Sequence, residues 1–115
     1  MINNVVLTGR LTKGPELKNL KQNNLRAVEF TLAVDRPSKS NNKQADFIPI
    51  IAFDKVAENV NKYCNKGSLV GVEGSLRIDT WQDKDKNWHT RAYIISNKIT
   101  FLQTKETNEK GDLPY

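Results

Sequence analysis

Two tryptophans, Trp81 and Trp88, flank the charged stretch QDKDKN (82–87), and two phenylalanines, Phe47 and Phe53, open and close the apolar run FIPIIAF. Tyr93 follows shortly after Trp88. Around these rings lie Arg10, Lys13, Arg26, Arg36, Lys39, Lys43, Lys55, Arg77, Lys84, Lys86 and Arg91, at the ends of apolar runs and in the polar stretches between them. Flat rings interleaved with cations suit one kind of chemistry. Rings stack on exposed bases and cations track phosphates, the two requirements for holding a single nucleic-acid strand. The alternative is that the rings are barrel plugs or interface residues, because buried aromatics are ordinary. The alternation of Lys and Asp over 83–86 fits a solvated turn as well as it fits phosphate contacts from Lys84 and Lys86.

Other chemistry finds no support. GVEGSL carries two glycines, but no Lys-Ser/Thr follows and no helix is expected there, so it is not a phosphate-cradling loop. Its glycines fit a bend or bulge in a strand. Cys64, the single cysteine, excludes an internal disulfide and reads as an inert core thiol. His89, the single histidine, shows no paired carboxylate or nucleophile in a recognisable arrangement, so a general base is not expected. One Cys and one His give no zinc-cluster spacing. The expectation is a protein that is not an enzyme, with no metal and no cofactor.

The charge balance agrees with an anionic partner. The 115 residues carry a formal net charge of +5, which favours nucleic acid first and acidic membrane second. The charge is uneven: residues 1–102 hold 16 Lys/Arg against 10 Asp/Glu, whereas residues 103–115 hold two lysines against three acidic residues. No apolar run approaches the roughly 20 residues of a membrane span. The opening MINNVVLTGR lacks a basic region followed by a long apolar stretch, so no secretory signal is expected. A single cytoplasmic domain is the default expectation at this length.

The elements that must position the rings follow from periodicity. NNVVLTGRL (3–11) alternates Val5, Leu7, Gly9 and Leu11 against Val6, Thr8 and Arg10, a strand pattern. KGP (13–15) is a turn, and LKNLKQNN reads as a polar loop. RAVEFTLAV (26–34) alternates again, and a long polar loop, DRPSKSNNKQAD (35–46), follows. FIPIIAF (47–53) is a third strand, placed at an edge or bulged because Pro49 cannot donate to a ladder. In 54–67 the period becomes helical through Val56, Ala57, Val60, Tyr63 and Cys64, with Asp54 as N-cap and Gly67 as stop. SLVGVEGSLRIDTW (68–81) and WHTRAYIISNKITFL (88–102) are the fourth and fifth strands, joined by a charged hairpin loop. Five strands with one helix between the third and fourth is the pattern of an OB fold, an all-β Greek-key barrel that binds oligonucleotides on one face.

At this point a resemblance becomes specific. MINNVVLTGRLTKGPEL, FTLAVDRP, ADFIPIIAFDKVAENVNKY, KGSLVGVEGSLRIDTW and ITFL together resemble the bacterial-type single-stranded DNA-binding proteins, including the short forms of phages and mobile elements. The resemblance covers residues 1 to about 102. It implies an OB fold, a homotetramer or dimer with first strands paired, and base stacking on Phe47, Phe53 and Trp81. It also implies a further ring in the loop after the second strand. There RPSKS offers Pro37 and Ser38 and no ring, which removes one platform. Trp88 is the candidate to compensate, although its position is not a clean match.

Residues 103–115 read as a short linker and tip. GDLPY resembles the acidic-apolar tip with which such proteins recruit replication, recombination and repair proteins, here through Asp112, Leu113, Pro114 and Tyr115. Only Asp112 remains of the acidic run, and Tyr stands in place of Phe. The rival readings are an OB-fold RNA-binding or primosome-accessory protein, and a protein-interaction adaptor whose rings form only an oligomer core.

Overall fold

The computed structural model describes residues 1–20, 25–37 and 44–103. Lys39, Lys43 and the tip residues Asp112, Leu113, Pro114 and Tyr115 lie outside the described residues. The elements are β1 (Val5–Leu11), β2 (Glu16–Leu20), β3 (Leu25–Asp35), β4 (Ala45–Phe53), α1 (Asp54–Tyr63), β5 (Leu69–Gln82) and β6 (Trp88–Gln103). The sheet order is β1-β5-β6-β4-β3-β2, and β1 also pairs with β3. That last pairing closes five strands into a ring, the expected OB-type barrel. β4 and β6 run parallel, and every other pairing is antiparallel.

Three expectations need correction. Residues 17–20, at the start of the stretch read as a polar loop, form a sixth strand with Glu16, so the helix lies between β4 and β5 rather than between a third and a fourth strand. β2 pairs with the first half of β3 (Glu16↔Glu29 to Leu20↔Leu25), outside the closed ring. β4 is not an edge strand, for it lies between β3 and β6. Pro49 is accommodated without a bulge. It faces Thr31, whose carbonyl accepts the Thr12 N–H from the far side at 3.1 Å. The Thr31–Pro49 pair is therefore one of the non-hydrogen-bonded pairs of an antiparallel ladder. On the other flank, pairing with β6 begins one residue later, at Ile50.

The helix ends also differ from expectation. Phe53 occupies the cap position with no side-chain capping bond, and Asp54 is the first helical residue, at φ +52°. Strand β4 runs into α1 with no linker, through Phe53 in an extended conformation, and the positive φ falls on Asp54, a residue type that tolerates it better than most. The helix closes at Tyr63, with the Cys64 N–H donating to the Val60 carbonyl at 2.9 Å. Gly67, at φ +89°, shapes the next turn instead and donates its N–H to Leu11 O.

The core draws on every strand of the ring and on the helix. Leu11, Val28, Phe30, Leu32, Ile50, Ala52, Val70, Val72 and Ile94 are buried with Ala57, Val60 and Cys64. Cys64 is thus the core thiol that its apolar spacing implies. Ser96 is buried as well, its Oγ within 3.1 Å of the carbonyls of Glu73 and Lys98. It marks a bulge: Glu73 faces Lys98 while Gly74 faces Ser96, leaving Asn97 as the extra residue on β6. The bend foreseen around the GVEGSL glycines sits here.

Candidate nucleic-acid interface

Strand alternation and register together decide which rings share a surface. Successive side chains of a strand point to opposite faces. On β4 the even positions Ile50 and Ala52 are buried, so Phe47, Pro49, Ile51 and Phe53 face outward. Across β3 they meet Ala33, Thr31, Glu29 and Ala27. Across β6, Ile51 meets Ile95, which puts Tyr93, Arg91 and His89 on the same surface. Those residues meet Ser75, Arg77, Asp79 and Trp81 on β5. Phe47, Phe53, Tyr93 and Trp81 therefore lie on one continuous outer face of β3-β4-β6-β5. Phe47 is 66 % exposed and Trp81 46 %, whereas Phe53 is half-buried where β4 runs into α1.

Trp88 is placed differently. It pairs with Gln82, the step next to Trp81↔His89, and so points to the reverse face of the β5-β6 hairpin. There it joins Leu76 and Ile78, and all three are exposed. The tryptophans do stand at the two feet of one hairpin, but on opposite faces of it. Tyr93 is the ring that sequence reasoning left out of the stacking set. Its signal was parity: it sits an even number of residues from His89, the partner of Trp81. Arg91 lies over its ring at 5.3 Å, and burial, aided by a hydrogen bond to Asp79, pushes its phenol above the usual range.

The cations divide into engaged and open groups. Arg91, on the ring-bearing face, pairs with Glu29. Arg36 donates through Nε and Nη2 to Asp46 Oδ1 at 2.9 and 2.6 Å, and this hydrogen bond holds the Asp46 carboxyl below its usual range. Arg26 is on the core-side parity of β3 and pairs with Glu58 of α1. Arg10 sits beside Leu69, at the other end of β5 from Trp81, and donates to Gly67 O at 2.8 Å and Gln103 Oε1 at 2.9 Å. Arg77 belongs to the ring-bearing face, opposite Tyr93. Lys13 lines a shallow groove with Lys18, Glu29 and Thr31, the last two on the rim of that face. Lys55 is exposed in the first turn of α1, and Lys84 and Lys86 are exposed in the β5-β6 turn, Lys86 at φ +64°. Exposed ion pairs are weak, so a phosphate can displace the carboxylates of Glu29 and Asp46.

His89 does meet a carboxylate, contrary to expectation. Its Nε2 lies 2.8 Å from Asp83 Oδ2. No group of three or more His, Cys, Asp or Glu that could hold a metal occurs among the described residues.

A strip of rings edged by Lys and Arg on an OB-type barrel suits a flexible single strand better than a duplex, whose bases are already stacked. Comparison with known proteins agrees. The model of the single-strand binding protein family matches residues 2–102. The chain belongs to that family. It is 42 % identical over 111 residues to the single-stranded DNA-binding protein 1 of Staphylococcus aureus (strain Mu50 / ATCC 700699), covering 95 % of this chain and 70 % of that one. It is 39 % identical over 107 residues to the single-stranded DNA-binding protein 1 of Clostridium acetobutylicum, covering 91 % and 97 %. The single-stranded DNA-binding protein 2 of S. aureus strain COL is 38 % identical over 112 residues, covering 96 % and 80 %. Family membership accounts for the OB-type closure, and the register shows which of this chain's own rings share a face.

Proposed function

We propose that this member of the single-strand binding family holds single-stranded DNA along the outer face of β3-β4-β6-β5, stacking bases on Phe47, Phe53 and Trp81 without reading sequence. The supporting observation is that these rings, with Tyr93 between them, share one face of four adjacent strands. Tyr93 stands in for the ring missing from RPSKS. Arg77, Lys13, Lys55, Lys84 and Lys86 meet phosphates directly, while Arg36 and Arg91 do so by exchanging a carboxylate for a phosphate. Lys39 and Lys43 are further phosphate contacts, and Arg10 and Arg26 meet phosphates of a strand that runs beyond the ring-bearing face. Trp88, on the reverse of the hairpin, stacks a base of a strand that wraps around the β5-β6 turn. The protein is not an enzyme: it protects and organises exposed strands during replication, recombination and repair in the cytoplasm.

Residues 1–102 form the binding domain and 103–115 a tail. Assembly into a dimer or homotetramer runs through β1. That strand pairs with β5 from Val5 to Arg10 but with β3 only at Arg10 and Leu11. Its remaining edge is a template for another strand, and Val6 beside it is exposed. Mass measurement of the oligo-dT complex at two salt concentrations tests binding and assembly together. The expected complex carries two or four 13.1 kDa chains, and log affinity falls against log salt by about 0.7 for each phosphate neutralised. Absence of a complex at low salt contradicts the reading.

The tip Asp112-Leu113-Pro114-Tyr115 recruits replication and repair proteins, its ring entering an apolar pocket while Pro114 limits the freedom lost on docking. Removing residues 112–115 should abolish capture of those proteins and leave oligo-dT binding intact. Equal capture with and without the tip contradicts this role.

A further inference from the structure

Trp81 is not open on both sides. The His89 ring stacks on it, with centroids 5.6 Å apart and planes 24° apart, as their cross-strand pairing allows. His89 is itself held by Asp83 Oδ2 at 2.8 Å. Asp83 in turn is fixed by the turn it organises. Its Oδ1 accepts the N–H groups of Asp85 and Asn87, each at 2.9 Å. Its own N–H donates to Asn87 O at 3.0 Å, and its carbonyl accepts the Lys86 N–H at 3.1 Å. One carboxylate therefore ties the hairpin turn to the ring that backs Trp81. These bonds, the one to His89 first and the Asn87 N–H next, hold the Asp83 carboxyl below its usual range.

We propose that His89 is a positioning residue for DNA: it covers one face of Trp81, leaves the other to a nucleobase, and tightens binding when its imidazole is protonated. The inference rests on Trp81 serving as a base platform. The neutral ring with its proton on Nε2 already donates to Asp83. Protonation at Nδ1 keeps that bond, makes it charge-assisted and places a cation against the indole face. It also adds a positive charge beside the backbone of the stacked nucleotide. The charged groups around His89 are Asp83, Lys84, Asp85 and Lys86 in the turn, with Asp79 on β5 and Arg91 on β6 one step along the same face. β4 pairs with β6 over Ile50–Ala52, well along the strand from His89. Carboxylates ordinarily lose their protons far below neutrality and lysines far above it, whereas imidazoles and α-amino groups titrate between about pH 5 and 8, so a variant without the imidazole tells the two apart. His89 is the only histidine in the chain.

The test is oligo-dT affinity of the full chain at about pH 8 and about pH 5.5, the window in which imidazole titrates, because thymine carries no titrating group there. Wild-type affinity should rise about 3- to 10-fold on acidification, and the log–log salt slope should steepen by about 0.7. His89→Phe keeps a ring behind Trp81 and removes the proton. It should lose most of the wild-type rise and of the steepening between the two pH values, since an α-amino group contributes equally in both proteins. A wild-type pH profile in His89→Phe overturns the proposal. Trp81→Ala separates the two levels of the argument. If it binds as wild type does, the base-platform reading fails. If it binds weakly while His89→Phe keeps the wild-type profile, only the role of His89 fails.

Discussion

Phe47→Ala should weaken oligo-dT binding by about 5- to 150-fold, the loss of one stacked base at about 1–3 kcal/mol. Phe47 is the most exposed ring of the face, 66 % accessible at the start of β4. Truncating it leaves no cavity, so unfolding should change by no more than about 0.5 kcal/mol. A fall in affinity at constant stability therefore reports the lost stack. Ile78→Ala is the matched control. Ile78 is also an exposed apolar side chain, but it pairs with Ala92 on the reverse face of the hairpin. Its affinity should stay within about twofold of wild type, the range of a neutral surface change. Phe53 gives a less direct test: it is half-buried at the junction with α1, so its truncation mixes stacking with packing.

Gly74→Ala should cause a large loss of stability for a single added methyl group. A Cβ at Gly74 would lie 2.1 Å from Ile95 O and 2.9 Å from Ser96 Cα, both backbone atoms. The β6 backbone cannot withdraw without breaking the bulge at Asn97 and the Ser96 bonds that hold it. Overpacking of this kind costs about 3 kcal/mol, the upper part of the usual range. Gly9 is crowded in the same way, by Ala33 O where β1 crosses to β3. Gly14→Ala is the control, since a Cβ there meets nothing within 4 Å. Urea midpoints at one fixed protein concentration measure Gly74→Ala and Gly14→Ala, because any assembly makes stability concentration-dependent. A Gly74→Ala midpoint equal to that of wild type would contradict the closed, bulged geometry.

The barrel was legible because its core obeys simple periods. The alternation of Val28, Phe30 and Leu32 and the helical spacing of Ala57, Val60 and Cys64 appear as buried faces. β2 escaped because its place demands little burial. It hangs on β3 outside the ring, Leu17 stays partly exposed, and Glu16 and Lys18 give it a loop's composition. The reading of Pro49 failed because its neighbour's hydrogen bonding, not its own strand, decides whether a missing donor matters. Asp54 looked like a cap from residue type alone, but the extended Phe53 takes the cap position and Asp54 is already the first helical residue.

The candidate site was partly legible. Four aromatic positions could be named from sequence, but their faces depend on register. Trp81 and Trp88 are seven residues apart across a hairpin, and that odd separation sends them to opposite sides once Trp81 pairs with His89. Tyr93 joins the face for the complementary reason. The engagement of Arg91 was not legible, because Glu29 and Arg91 are 62 residues apart and only the β3-β4-β6 order of the sheet brings them together.

Tryptophan fluorescence during oligo-dT titration tests the shared face most directly, using Trp88→Phe, which leaves Trp81 as the sole indole, and Trp81→Phe, which leaves Trp88. The account predicts deep quenching at saturation in Trp88→Phe, as a base covers the open face of Trp81, and a smaller change in Trp81→Phe. Quenching confined to Trp88, with the Trp81 signal unchanged at saturation, would contradict it.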